Sequence, residues 1–270
     1  MPDSARLLEV AVSAAKVGGD VLRGYYHDGV TMRNKASDGG KSYDLVSDAD
    51  LESERAVIET IRRHFPEHQC LGEESQSIDA ADAADLWVID PLDGTNNFAH
   101  RLPHFAVSVA YYRHGKALAG AVLNPIGNDL FTATAGGGAF HNGAAIRTSA
   151  VETMDQAMIG CGFYYDRGEM MRATLDAIEA CFQCDIHGIR RFGTASLDLC
   201  SVASGHVDAF FEYKLSFWDF AAGALILREA GGTISTTRGD TLPNATTTVL
   251  ASNSRLHATM LKITSHHDPT

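Results

Sequence analysis

The chain has 270 residues, 45% of them hydrophobic, so a sizeable core can form and wholesale disorder is excluded. Its 22 basic residues against 34 acidic ones leave a formal charge of −12, a surface that repels nucleic acid and anionic lipid unless a cation stands between. No apolar stretch reaches membrane-spanning length, and the start Met1-Pro2-Asp3-Ser4 lacks a basic segment followed by an apolar run. The expectation is a cytoplasmic protein with no nucleic-acid or membrane partner.

In chain order, Leu7, Leu8, Ala11, Ala14, Ala15, Gly18, Val21 and Leu22 recur at helical spacing and predict a first helix over about 4–26. A polar, glycine-bearing stretch over 34–44 reads as a loop. Ser47-Asp48-Ala49-Asp50 has the form of a capping box, and Leu51, Val57, Ile58, Ile61 and Phe65 stripe the helix behind it until Pro66. Leu86-Trp87-Val88-Ile89 is a short, bulky apolar run and predicts a buried strand. Between Phe105 and Ile146, β-branched and aromatic runs break at His114-Gly115, Ile126-Gly127-Asn128 and Asn142-Gly143, the pattern of an antiparallel meander. Beyond Glu152 strands alternate with helices: a strand over 207–213, a helix over 218–230, a strand over 247–252 and a last helix. A composition shift near Val151 divides one structural unit into an α+β half, 1–150, and an α/β half, 151–270. The five cysteines, Cys70, Cys161, Cys181, Cys184 and Cys200, are odd in number and scattered, which suits reduced thiols. Cys181-x-x-Cys184 lacks the second pair that a zinc site needs.

Three short segments concentrate acidic residues: Gly72-Glu73-Glu74-Ser75, Asp90-Pro91-Leu92-Asp93-Gly94-Thr95 and Trp218-Asp219. The predicted strand delivers Asp90 at its C-terminal end, where open α/β sheets place ligands. Pro91 and Gly94 favour a tight turn that folds Asp93 back beside Asp90. Two carboxylates forced together repel unless a cation lies between them. Oxygen-only donors select Mg²⁺ or Mn²⁺ over zinc, with the Leu92 carbonyl as a neutral ligand. The amides of Gly94 and Thr95 would offer an anion site if a helix starts there. Taken alone, Asp-Pro-Leu-Asp-Gly-Thr is equally well a polar turn; the other two acidic segments tip the reading towards a metal site.

These motifs resemble the inositol monophosphatase family of metal-dependent, lithium-sensitive sugar phosphatases. The resemblance runs from Asp44-Leu45-Val46-Ser47 through GEES, DPLDGT, Asn97-Phe98-Ala99-His100 and Gly193-Thr194-Ala195-Ser196 to Trp218-Asp219 and Glu229-Ala230-Gly231-Gly232. It implies an α/β fold layered αβαβα, a homodimer, and Mg²⁺ as cofactor. It assigns Glu73, Asp90 and the Leu92 carbonyl to one metal and Asp90, Asp93 and Asp219 to a second, with Glu73 reaching a third. Asp50 and Thr95 match the pair that orients the attacking water. Gly94 and Thr95 match phosphate contacts, and Ala195 and Glu212 match contacts to substrate hydroxyls. Lys41 and Lys35 compete for the role of the family's loop lysine. Phe217 stands where relatives often carry a small residue and is expected at the substrate rim.

The expected reaction is hydrolysis of a small polyol phosphate, myo-inositol monophosphate first, by metal-activated water in an in-line displacement. Alternatives with the same chemistry are fructose 1,6-bisphosphate, histidinol phosphate and 3′-phosphoadenosine 5′-phosphate. A rival of another class is a binding protein that contacts transcription machinery. Bland readings stand beside several residues: Glu212 as an exposed carboxylate, Arg190-Arg191 as a solvated pair, His100 and His104 as structural, and Trp218 as a core anchor.

Overall fold

The computed structural model describes residues 3–29, 33–34, 45–75 and 83–269. Helix α1 (Ser4–Asp28) starts where the Asp3 side chain accepts the Ala5 N–H, and its buried stripe runs Leu7, Val10, Ala11, Ala14, Ala15, Gly18, Gly19, Leu22. A two-residue antiparallel ribbon, β1 (Arg33–Asn34) and β2 (Leu45–Val46), leads to α2 (Asp48–His64), which opens on the predicted capping box of Ser47 and Asp50. Strand β3 (Gln69–Gly72) is followed by β4 (Asp85–Asp93) and the short helix α3 (Thr95–Ala99). The predicted meander is β5 (Ala106–Arg113), β6 (Lys116–Asn124), β7 (Asp129–Thr134), β8 (Gly138–His141) and β9 (Ala144–Ala145). The remainder is β10 (Met158–Cys161), α4 (Glu169–Phe182), β11 (Gly188–Arg190), α5 (Ala195–Ala203), β12 (Ala209–Leu215), α6 (Phe217–Glu229), β13 (Thr233–Ser235), β14 (Thr247–Ser252) and α7 (His257–His266).

Two sheets result. The larger has the order β3-β4-β5-β6-β7-β8-β9 and is antiparallel except for β3 against β4. The smaller has the order β11-β10-β12-β14-β13, with β10 parallel to both its neighbours.

The two-residue period of β4 explains the layering. Trp87 and Ile89 face α1 and α2, in a core shared with Val107, Val109 and Tyr111. Leu86 and Val88 face the other way, in a core that holds α5, α6 and the small sheet's Phe210, Val249 and Ala251. On the far side of the small sheet, Ile159, Phe211 and Leu250 pack with Ala173 and Ala177 of α4 and Met260 of α7. The stack is therefore αβαβα. Because α6 lies between two sheets, nine of its residues from Phe217 to Leu227 are buried, and it is apolar nearly all round.

Two expectations are corrected here. Phe217 is not at a substrate rim: it is 3% exposed and packs edge-on against Tyr112, because α6 is covered on both sides. Asp93 does not return by a tight turn after Ile89. Instead β4 continues to Asp93 with a register shift between Asp90, opposite Ser108, and Asp93, opposite Ala106. Pro91 has no N–H to pair, so the extra residue is taken up as a bulge. No helix among the described residues is long and apolar enough to cross a membrane, and all five cysteines are free thiols.

Candidate active site

The β4 bulge opens into a cavity of ≈ 260 Å³ between the two sheets. Glu73, Asp90, Leu92, Asp93, Gly94, Thr95, Ala195, Glu212 and Asp219, nine of the residues expected there, line it. Four elements converge. The loop after β3 brings Glu73, held by the Glu73 N–H on the Ile89 carbonyl at 3.2 Å and the Glu74 N–H on Glu54 Oε2 at 2.9 Å. The bulge is tied to α2 by Ser53 Oγ, which donates to the Pro91 carbonyl at 2.9 Å. The N-termini of α5 and α6 bring Ala195 and Asp219.

Gly94 is required twice over. It sits at φ +92°, in the left-handed region, and a Cβ there would stand 2.5 Å from Thr194 Oγ1. The segment after it does start a helix, but α3 has only five residues, too few to build much of a dipole. Asn97 pins α3 across the cavity, donating to the carbonyls of His104 and Phe192, each at 2.8 Å.

The carboxylates differ in how they are held. Asp90 is 1% exposed; one oxygen accepts the Leu92 N–H at 3.0 Å, and the other is buried with no hydrogen-bond partner among the described residues. Burial first, and then the charges of Glu73, Asp93 and Asp219, push its pKa well above the usual carboxylate range. Asp93 accepts the N–H of Ser196 at 2.7 Å and of Ala195 at 3.3 Å. Burial raises it to about 6, and hydrogen bonds from Ser196 and Ala195 hold it back. Asp219 accepts the Ser216 N–H at 2.6 Å and is likewise pushed well up, by burial and then by Asp93 and Glu73.

This donor set fits a hard divalent cation. The donors are oxygens only, they raise one another's pKa, and the inner oxygen of Asp90 is left without a proton donor. Among the described residues no three acidic, histidine or cysteine side chains are, as they stand, grouped closely enough to hold a metal ion; Asp93 and Asp219 are turned onto the backbone amides of Ser196 and Ser216.

Other expected residues lie as follows. Asp50 is fully buried in α2, where its Oδ2 accepts both the N–H and the hydroxyl of Ser47, at 2.8 and 2.6 Å. The Thr95 hydroxyl donates to the Leu92 carbonyl at 3.1 Å, so its single proton is not available to Asp50 in this arrangement. The Ala195 N–H is turned to Asp93 rather than into the cavity. Glu212 is not an exposed carboxylate: it is 8% exposed, and burial and then the Asp198 charge push its pKa up to about 8, with Arg191 opposing. Lys35 and Lys41 lie outside the described residues.

Asp198, Gly162, Tyr164, Tyr165 and Lys214 also line the cavity and were not singled out by sequence. Arg191 joins them on the wall, so it is more than half of a solvated pair. Only Asp198 had a signal to read, four residues after Thr194 in the Gly-Thr-Ala-Ser segment. Gly162 is there because a Cβ would fall 1.8 Å from Glu212 Oε2.

A sequence profile of the inositol monophosphatase family matches residues 3–268. The Nus factor SuhB of Escherichia coli (strain K12) is 39% identical over 257 residues, 94% of each chain. The inositol-1-monophosphatase of Rhizobium meliloti (strain 1021) is 38% identical over 252 residues, 93% of this chain and 92% of that one. The crystal structure of the extragenic suppressor protein suhB from Bartonella henselae superposes with a TM-score of 0.87 at 35% identity, covering 96% of this chain and 98% of that one. With the profile spanning nearly the whole chain and the acidic cavity in place, the protein belongs to the inositol monophosphatase family, a family of phosphatases.

Proposed function

We propose that the protein is a Mg²⁺-dependent phosphomonoesterase whose substrate is a small polyol phosphate, myo-inositol monophosphate first. The observation that carries this reading is the buried, unpartnered oxygen of Asp90 amid Glu73, Asp93 and Asp219, directly beside Gly94 and Thr95. Glu73, Asp90 and the Leu92 carbonyl would hold one ion, and Asp90, Asp93 and Asp219 another. When bound, such ions lower the pKa of water and stabilise the leaving oxygen.

The chain's own groups do the rest. The backbone N–H groups of Gly94 and Thr95 take the phosphate oxygens. Thr95, released from the Leu92 carbonyl and oriented by Asp50, holds the attacking water in line with the ester oxygen. Glu212, pushed up to about 8 by burial and so largely protonated at neutral pH, can both donate to and accept from substrate hydroxyls. The Ala195 N–H, once released from Asp93, completes that contact. Lithium sensitivity in the millimolar range, a homodimer, a cytoplasmic location and a Lys41 or Lys35 loop contact belong to the same reading and rest on family resemblance.

The test is phosphate release, with and without Mg²⁺, from inositol 1-phosphate, fructose 1,6-bisphosphate, histidinol phosphate and 3′-phosphoadenosine 5′-phosphate. The expected result is Mg²⁺-dependent release with a higher kcat/KM on inositol 1-phosphate than on the nucleotide. The reverse order would overturn the substrate; no release from any ester would overturn the hydrolase. A second reading is a protein-binding role, because the E. coli relative is named a Nus factor. A pull-down at physiological salt, run beside the release assay, separates the two.

A further inference from the structure

Part of the cavity lining is aromatic. Residues 162–168 join β10 to α4, and Tyr164 and Tyr165 of this segment line the cavity. The segment is anchored at both ends: the Gly162 N–H donates to the Phe211 carbonyl at 3.0 Å, and Asp166 accepts the Met170 N–H at 2.9 Å. Lys214 of β12, two residues beyond Glu212, sets its Nζ 4.6 Å from the centre of the Tyr164 ring, a cation–π contact that fixes the ring's tilt. The Tyr165 ring lies 5.7 Å from that of Tyr164, and Asn96 Nδ2 of α3 approaches its hydroxyl at 3.5 Å. Tyr165 is nonetheless 37% exposed, so much of a large flat side chain faces solvent at the mouth of the site.

The lining thus combines two kinds of surface: Glu212, Asp198 and Arg191 offer charge and hydrogen bonds, and the two tyrosines offer flat apolar surface. A cyclic polyol has the matching division, with hydroxyls around its edge and C–H groups on its faces; a short acyclic polyol has hydroxyls but no face. We infer that Tyr164 and Tyr165 are specificity-determining residues that stack on the ring of the leaving group and select ring-shaped over acyclic phosphate esters. This inference rests on the hydrolase reading above. It adds a discrimination that the phosphate end of the site cannot supply, since that end meets the same group in every ester.

The experiment compares the full chain with its Tyr164→Ala, Tyr165→Ala, Tyr165→Leu and Tyr165→Phe variants in Mg²⁺, with inositol 1-phosphate and glycerol 2-phosphate as substrates and inorganic phosphate as product inhibitor. Loss of a flat face should raise KM for inositol 1-phosphate roughly tenfold. It should leave kcat/KM for glycerol 2-phosphate and inhibition by phosphate within about twofold. Tyr165→Phe should keep wild-type KM, and Tyr165→Leu, which keeps bulk but not the plane, should behave like the alanine variant. Equal losses on both substrates would assign the tyrosines a structural role, and no loss on either would remove them from the substrate; each result overturns the inference. Wild-type protein that releases phosphate from neither ester overturns the hydrolase reading and the inference with it, a result distinct from release that is indifferent to the tyrosines.

Discussion

Helices α2 and α6 both begin on a Ser-x-x-Asp signature, Ser47-Asp48-Ala49-Asp50 and Ser216-Phe217-Trp218-Asp219. In both, the serine N–H donates back to the aspartate, at 2.8 and 2.6 Å. From there they diverge. Ser47 adds its side chain to the lock: Oγ donates to Asp50 and accepts the Ala49 N–H at 3.2 Å. The Ser216 side chain faces the Asp219 N–H in the same box without a full cap bond, and that N–H goes to the Ser216 carbonyl at 3.2 Å. Asp50 is fully buried behind the bulge, whereas Asp219 lines the cavity among other acids. The same local signature therefore serves two ends. Capping fixes where an aspartate's backbone sits; the element's position in the stack decides what the carboxylate meets.

The largest expected effect separates the two carboxylates by chemistry. Asp219→Asn keeps an acceptor for the Ser216 N–H, so the helix start should survive. It removes a negative charge that Asp93 and Glu73 disfavour, so the metal-free melting temperature should hold or rise. Activity at saturating Mg²⁺ should fall about 10³-fold or more, since a proposed metal ligand is lost. Thermal melting and phosphate release on one preparation check both halves. Near-wild-type turnover would leave Asp219 a cap and nothing else.

A smaller effect is expected at Asp50, where the cap and the proposed catalytic role coincide. Asn can still accept from Ser47 but carries no charge to turn Thr95 towards water, so kcat should fall roughly 10²-fold. Mg²⁺ affinity should change little, because Asp50 lines no part of the cavity. If stability drops while kcat of the folded fraction holds, the contrast between the two aspartates is reduced to burial alone.

The parts of this molecule legible in its sequence are those set by neighbours along the chain. The alternation of Leu86-Trp87-Val88-Ile89, the turns of the meander, and the crowding of Asp90 with Asp93 all follow from local pattern. The bulge was harder: Pro91 announces a break in pairing, but both a turn and a bulge satisfy that, and the partner strand decides between them. Residues delivered by long-range packing left little or no trace. Glu212 is buried because residue 162, fifty positions earlier, has no side chain. Phe217 faces the core because α6 is covered by two sheets, which no window around Phe217 reveals. Tyr164 and Lys214 meet only once β10 and β12 are paired.

The smallest expected effect concerns the serines. If the two caps were equivalent, Ser47→Ala and Ser216→Ala would cost the same. At Ser47 the hydroxyl is fully buried and holds two hydrogen bonds, one of them to the carboxylate of Asp50 at 2.6 Å. Its removal deprives a buried carboxylate of a donor and leaves the Ala49 N–H without its cap, so the loss should approach the upper end of about 0.5–2 kcal/mol. At Ser216 the side chain holds only the loose arm of its box, facing the Asp219 N–H without a full cap bond, and the backbone arm to Asp219 survives in alanine. Its removal should cost roughly 0.5 kcal/mol or less. Denaturant midpoints of the two variants, with unchanged slopes, measure the difference. Equal midpoints would mean that the serine hydroxyl of α2 contributes no more than that of α6, and that the two helix starts differ only in what lies beyond their aspartates.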